Sequence, residues 1–351
     1  MEEVKSYFAN FDFDISLLNS KYSKDINPNS KYNKNLQYLF FWTAEEDEQL
    51  YVVDKSLHTR YQSKVMAYQS FIPGVTRNND HLYYWWGDSS TEEKWSYEKE
   101  VNSKFTSHVI EKELGFSIIS RIGYQSSDLP ENLKEYILKK DHGFSGQGVV
   151  KSAVDIKYPI LIEEKLNRKV DYGTIINSKG CHTFRNLVDQ HGQYVGTYLD
   201  KCKDNYKDNY KALEDDLYKI FLKYKEKYDV VNLQIDSFSY YKDEKLFLRP
   251  LCEVNHRKSM GWITNKLNIK FGSKFSFFVI IPKHKFSNVL TDFSNYDVTC
   301  KEGMIQLSLP NESLQSFFIT SETTVNLKKY LMNISQELKE HLELDAFISS
   351  I

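Results

Sequence analysis

Cysteine is scarce in this sequence. Four residues among 351, Cys181, Cys202, Cys252 and Cys300, lie far apart with no C-x-x-C pair. That spacing offers neither a zinc site nor a disulfide framework, so the four are expected to be reduced structural thiols. Long apolar runs are missing too: no stretch approaches the 18 or so residues that cross a bilayer. The opening MEEVKSYFANFDF is acidic and broken by Asn and Asp, which suits neither a signal peptide nor a transit peptide, and a cytoplasmic protein is expected. A dominant charge is absent as well. Lys+Arg 46 against Asp+Glu 48 leaves a net charge of -2, so no global field steers the chain to nucleic acid or to an anionic membrane. The P-loop pattern G-x-x-x-x-G-K-[ST] does not occur, nor does H-E-x-x-H, and no Ser/His/Asp or Cys/His arrangement points to a hydrolase.

What the chain does have is 41% hydrophobic residues, enough for two or three subdomains with a real core. The run Tyr136 to Val150, YILKKDHGFSGQGVV, carries most of the chemistry. An apolar strand start delivers Lys139 and Lys140, glycines follow at 143, 146 and 148, and Val149 and Val150 turn apolar again. The pattern reads as strand, glycine loop, strand. Glycines let backbone N–H groups approach an anion that a Cβ would hold away, and a lysine at the strand end adds a point charge for a phosphate. The spacing is G-x-x-G-x-G rather than the G-x-G-x-x-G of dinucleotide-binding or kinase sites, and taken alone it also fits a hairpin with a glycine-rich turn.

Two further stretches bear on it. PILIEEKL, 159 to 166, reads as a buried strand running into Glu163 and Glu164; a carboxylate there is costly to bury unless a donor meets it, although Glu164 and Lys165 also fit exposed strand-end charges. From Val230 to Tyr240 the residues alternate, with Val231, Leu233 and Ile235 on one face and Asn232, Gln234 and Asp236 on the other. A turn at 242 to 244 leads back through Leu246, Leu248 and Leu251 to Glu253 and Asn255, so a hairpin brings Asp236, Glu253 and Asn255 to one face. Two carboxylates and an amide oxygen form a hard donor set suited to Mg²⁺, which takes its remaining ligands from water and phosphate.

Elsewhere the reading is coarser. Leu36 to Trp42 and Leu50 to Val53 suit buried strands, and Leu57 to Tyr68 a helix over them. HLYYWWG, 81 to 87, suits a buried strand end. Asn102 or Ser103 can cap a helix that faces inward through Phe105, Val109, Ile110 and Leu114 and stops at Gly115. Lys104 opposes the dipole of that helix unless an anion lies beside it, and a solvated lysine is the alternative. KDNY occurs twice between Lys203 and Lys211 and reads as a loop or helix start; Leu213, Leu217, Ile220, Phe221 and Tyr224 then give an amphipathic helix. Strands are expected at 275–282, 304–309 and 317–320, with a last helix over 325–342. That tail could finish the core, cover a pocket or form a homodimer interface.

In their order and residue types, the glycine loop, the PILIEEKL strand and the CEVNHR hairpin resemble the ATP-grasp superfamily, over roughly Val101 to Ile263. The resemblance implies an α/β (α+β) fold in four parts: an N-terminal α/β domain over 1–100, an ATP-grasp subdomain with the glycine loop over 101–160, a second with the metal-binding hairpin over 161–270, and a C-terminal α+β extension over 271–351. It implies ATP and Mg²⁺ as cofactors, with Lys104, Lys139 and the loop residues Gly143, Ser145, Gly146 and Gly148 on the phosphates. Glu163, Glu164, Lys165 and Leu166 would read the adenine edge and Asp171 the ribose, while Asp236, Glu253 and Asn255 would hold the metal. Arg257 would meet the transferred phosphate or the reacting carboxylate, making it and Lys139 the catalytic pair. His142 beside the first glycine is open between a phosphate contact and a turn residue. The implied activity joins a small-molecule carboxylate to an amine through an acyl phosphate, releasing ADP and phosphate. A kinase acting on a hydroxyl and a non-catalytic nucleotide-binding module are the alternatives.

Overall fold

The computed structural model describes residues 4–19, 21–23, 27–78, 81–116, 119–143, 148–150, 156–189, 192–201, 207–287, 294–339 and 343–351. Among these, three sheets carry the architecture. The first is parallel, built from β1 (Lys5–Phe8), β2 (Glu48–Tyr51), β3 (Gly74–Thr76) and β4 (Tyr83–Tyr84) in the order β3-β2-β1-β4. Around it lie α1 (Phe13–Leu18), α2 (Lys31–Leu36), α3 (Leu39–Thr43) and α4 (Ser56–Met66). The apolar run Leu36 to Trp42 is therefore helical, not a strand: Leu39, Phe40, Phe41 and Trp42 are each fully buried. A segment covered on every side shows no period from which helix and strand can be told apart.

Two helices lead to the second sheet, α5 (Glu92–Val101) and α6 (Lys104–Glu113). Ser103 caps α6, accepting a hydrogen bond from the Thr106 N–H, and Gly115 takes the positive φ of 71° that ends it. The sheet has the order β5 (Ser120–Gly123), β7 (Ile160–Glu164), β6 (Tyr136–Lys139), all antiparallel, with Ile160, Leu161 and Ile162 buried at its centre. Beyond β6 the chain turns and comes back: Lys140 N–H donates to Gly148 O at 2.8 Å and Val150 N–H to Leu138 O at 2.8 Å. The chain thus returns antiparallel beside β6 through one β-bridge, Lys139 with Val149. Residues 144–147 of the loop, Ser145 and Gly146 among them, lie outside the described residues.

Only Lys165 and Leu166 separate β7 from β8 (Asn167–Asn177), where the chain enters the third sheet. That sheet has eight strands, in the order β12-β11-β8-β9-β10-β13-β15-β14. Its members are β9 (Gly180–Val188), β10 (Tyr194–Asp200), β11 (Asn232–Lys242), β12 (Lys245–Asn255), β13 (Phe275–Pro282), β14 (Gly303–Gln306) and β15 (Leu314–Ser321). The β11/β12 hairpin forms as expected, with its turn at Asp243 and Glu244, both at positive φ. One inward residue differs: Val231 is exposed and Val230 is buried in its place.

α7 (Lys207–Tyr228) packs on this sheet through Leu213, Leu217, Ile220, Phe221 and Tyr224, all buried. The first KDNY copy, 203–206, lies outside the described residues, and the helix begins at Lys207 with the second. α8 (Met260–Phe271) joins the third sheet to the first, in one apolar cluster with α3 and the strands of the tail. The last helical stretch is two helices, α9 (Thr324–Gln336) and α10 (Glu343–Ser350), not one over 325–342. Leu338 leaves the helical period to bridge Phe286. The tail therefore completes the core. No helix among the described residues is long and apolar enough to cross a membrane.

Candidate active site

β12 carries the centre of the site because its register against β11 sets Glu253 directly opposite Asp236, and Asn255 opposite Gln234. Asn255 Nδ2 donates to Asp236 Oδ2 at 2.9 Å and Gln234 Nε2 to Asp236 Oδ1 at 2.9 Å. Burial, and after it the Glu253 charge, pushes the Asp236 carboxyl up to about 7. Glu253 moves the other way. Burial works against its charge, but Lys104 foremost and Lys139 after it outweigh that and hold it below the usual carboxylate range.

Lys104 is 7% exposed, and its Nζ lies 3.0 Å from Glu253 Oε2 and donates to Gly143 O at 3.2 Å. The solvated alternative is excluded. The anion that a lysine in the first turn of α6 calls for is Glu253, supplied from 149 positions down the chain (253 − 104). Ser103 Oγ and Phe105 N–H both donate to Asp141 Oδ1, at 2.7 and 3.1 Å, so the start of α6 is tied to the entrance of the glycine loop. His142 is turned inward: it is buried, with Nε2 2.7 Å from Lys99 O. A Cβ at Gly148 would stand 3.2 Å from His142 O, a close approach that a side chain would strain.

A second cluster abuts the first. Glu163, 1% exposed, has Lys139 Nζ at 2.8 Å and Arg168 Nη2 at 3.3 Å on Oε1, and Arg249 Nη1 at 2.5 Å on Oε2. Arg249 also makes a bidentate pair with Glu111, at 2.9 and 3.0 Å. Burial would raise the Glu163 carboxyl, yet Lys139, Arg249 and Arg168 together drive it far below its ordinary value. Lys139 Nζ also reaches Cys252 Sγ at 3.8 Å, beside Glu253, so the two clusters share a wall.

The sequence suggests a donor from outside the protein for Glu163; the fold provides three from within. Both its oxygens are taken, and Lys165 N–H is already given to Glu135 O at 2.7 Å. Of the hinge residues, Glu164 and Leu166 are half-buried and Lys165 is exposed. Asp171 accepts from Arg168 Nη1 at 2.9 Å, with the Arg168 guanidinium 4.0 Å over the Phe238 ring.

Arg257 follows Asn255 by two residues, and its Nε donates to Asp14 Oδ1 at 2.8 Å while its guanidinium lies over Trp86. His256 is fixed by α5: its N–H donates to Asn102 Oδ1 at 2.8 Å and its Nδ1 lies 3.1 Å from the Glu98 carboxylate. Lys258 N–H donates to Trp86 O at 2.8 Å, and its Nζ to Trp85 O at 2.6 Å, among the Trp85 and Trp262 rings. Burial lowers that ammonium to about 8.

Lys104, Lys139, Gly143, Asp236, Glu253, Asn255 and Arg257 thus converge from four separate stretches. Missed in the sequence were Asp14, Glu98, Glu111, Arg168 and Arg249. Arg249 had a signal: an arginine inside LFLRPL is as costly to bury as Glu163, and the two costs cancel in a pair. Asp14 had none.

Among the described residues no three His, Cys, Asp or Glu side chains gather as a metal cluster. Asp236 and Glu253 with the Asn255 amide nonetheless fit a hard divalent cation. Asp236 and Glu253 are directly opposed, Asn255 follows Glu253 by two residues, and among the described residues no ammonium or guanidinium is hydrogen-bonded to the Asp236 carboxyl.

No family model and no curated protein matches the sequence. Solved structures do match. N5-carboxyaminoimidazole synthetase from Staphylococcus aureus complexed with ADP aligns over 85% of this chain and 94% of its own, at 10% identity and a TM-score of 0.54. A second structure of that enzyme covers 86% and 95% at 10% identity and a TM-score of 0.50. N5-carboxyaminoimidazole ribonucleotide synthetase from Thermus thermophilus covers 96% and 99% at 12% identity and a TM-score of 0.48. The chain has the ATP-grasp fold.

Proposed function

We propose that this protein is an ATP-dependent ligase that joins a small-molecule carboxylate to an amine. The observation that carries the reading is the Lys104–Glu253 pair. It ties the start of α6 and the rim of the glycine loop to the hairpin that bears Asp236, Asn255 and Arg257. ATP would lie between the glycine-loop sheet and the hairpin, its phosphates meeting Lys104, Lys139 and the backbone at Gly143 and Gly148. Glu164 and the 165–166 hinge face the base, and Asp171 the ribose. Asp236, Glu253 and Asn255 would hold Mg²⁺, which when bound neutralises the phosphate oxygens. That the Staphylococcus aureus neighbour is complexed with ADP supports a nucleotide at this site.

The chain's own groups act by position and charge. Lys104 and Lys139, each now paired with a carboxylate, are the cations that a triphosphate recruits, and Arg257, with Nε on Asp14 and Nη1 on Lys258 O, would meet the transferred phosphoryl group through Nη2. The substrate carboxylate attacks the γ-phosphorus, the bond to the ADP oxygen breaks, and an acyl phosphate results. A neutral amine then attacks the acyl carbon, the C–O bond to phosphate breaks, and the amine's surplus proton leaves to solvent as the amide forms. No protein nucleophile is required.

The test is ADP release across a panel of amino acids, dipeptides and small carboxylates, with hydroxylamine trapping of the acyl phosphate. Glu253→Ala should lower turnover by about a hundredfold or more, the loss of one strong electrostatic contact, while melting as a folded protein. Unchanged phosphate release in that variant refutes the assignment. ADP formation that hydroxylamine cannot intercept points to a hydroxyl acceptor instead.

A further inference from the structure

The first sheet runs β3-β2-β1-β4, so the chain steps outward in one direction from β1 to β2 and β3 and then crosses to the other side of β1 for β4. A parallel sheet opens a crevice at such a switch point, beyond the carboxyl ends of the two strands, and ligands bind there. In this protein a cavity of about 180 Å³ occupies that place. Phe8 and Asn10 line it from the end of β1, and Tyr84 and Ser89 from the end of β4.

The chemistry of the lining is one-sided. Dinucleotide-binding sheets put glycines in the turn after the first strand so that a pyrophosphate can approach the backbone. Here that turn reads ANFDFD, with no glycine, and Asp12 faces the cavity. Asp12 Oδ1 accepts from Asn33 Nδ2 at 2.9 Å, which leaves Oδ2 available. Ser16 and Asn19 add hydroxyl and amide groups, and no Lys, Arg or His stands among the described lining residues. Two lysines of α5 are engaged elsewhere: Lys99 donates to Asn19 O and lies over Trp95, and Lys94 is paired with Asp88 at 2.6 Å. Among the described lining residues an anion in this crevice would meet a carboxylate and no counter-charge.

The crevice is also wired to the site on β12. Asn10, 2% exposed, accepts from Trp86 N–H at 2.9 Å and donates to Gly87 O at 2.7 Å. Trp86 in turn underlies the Arg257 guanidinium, and Asp14, two residues past Asp12, is the ion partner of Arg257.

We infer that this crevice is the amine pocket, and that it takes a small cationic amine bearing hydroxyl or amide groups, its ammonium held by Asp12, and rejects phosphorylated and carboxylated acceptors. The inference rests on the ligase reading for the word acceptor, but the binding it describes needs no nucleotide. Calorimetric titration of the full chain without ATP, using ethanolamine, 1,3-diaminopropane, inorganic phosphate and acetate as probes, tests it directly. The amines should bind and the anions should not. Asp12→Asn, which keeps an oxygen for Asn33, should weaken amine binding tenfold or more. Ser89→Lys, which puts a cation into the cavity wall, should do the same, with the melting temperature of both variants close to that of the parent. Amine binding indifferent to both substitutions, absence of amine binding, or phosphate binding abolished by Asp12→Asn overturns the inference. ATP binding separates the two ideas. A parent that binds ATP but no amine leaves the ligase reading standing, whereas a Glu253→Gln variant that still releases ADP at the parental rate ends that reading whatever the cavity binds.

Discussion

Glu163 shows how a single residue can report on a site before any ligand is known. Its carboxylate is buried among Lys139, Arg168 and Arg249, and removing one member of such a group leaves the others' charge uncompensated. Glu163→Gln should therefore cost about 3 kcal/mol in urea unfolding at pH 7. The pH dependence follows from the direction of the shift. A carboxyl held below its unfolded value contributes stability that is fully present above about pH 4.5 and is lost as pH falls further toward the folded value. The gap between parent and variant should hold constant from pH 7 to 5 and close below pH 4; a gap that widens in acid would contradict the ionised state assigned here. At this scale the sequence was partly readable. The costs of burying Glu163 and Arg249 are each visible in their own strands. That each relieves the other is not, because 86 positions separate them and nothing local registers the pairing.

At the scale of elements, α8 approaches the third sheet more closely than a side chain permits. A Cβ on Gly261 would fall 2.0 Å from Phe184 Cζ, and one on Gly173 2.3 Å from Phe184 Cε2, so the ring of Phe184 fills the space both glycines leave. Alanine in a helix is favoured over glycine by about 1 kcal/mol, but the overlap with Phe184 costs about 1–3 kcal/mol, and the second effect should win. Gly261→Ala is expected to lower the melting temperature, and adding Phe184→Leu to recover part of the loss. If Gly261→Ala alone stabilises the protein, the close packing described here is wrong. Period-based reading succeeded where an element has one wet face, as in α7 and the β11/β12 hairpin; in α6 the expected inward face holds only at Ile110, since Val109 is 39% exposed and Phe105 and Leu114 are half-buried. It failed at α3, which is covered all round, and at the end of α9, where Leu338 has the apolar character of a helix face but pairs with Phe286 in an extended segment.

On the scale of the whole molecule, the two ends of the chain share a core. Tyr38 Oη is 2.6 Å from Ser316 Oγ, and Trp42 Nε1 donates to Leu307 O at 3.0 Å across 265 positions. The apolar cluster under the first sheet includes Ile305, Leu307 and Phe318 from the tail. Trp42→Ala should cost about 3–5 kcal/mol in global unfolding, as truncation of a fully buried aromatic does. A chain cut after Phe271 should fail to bury Phe40, Phe41 and Trp42 and should give a sharply reduced unfolding transition in calorimetry. Retention of a full transition would show that the first sheet stands without its distant strands. Little of this was legible beforehand: the sequence marks 271–351 as strands and helix that could finish the core, cover a pocket or form an interface, but not whose surface they cover.

Because synthesis runs from one end, the aromatic cluster at 40–42 emerges from the ribosome long before β14 and β15 exist to cover it. For most of translation those rings have no native partner on the tail side, and a nascent chain in that condition is exposed to association with its neighbours. Slowing elongation between α8 and β15 should accordingly lower the yield of soluble protein more than the same pause placed after Ser321.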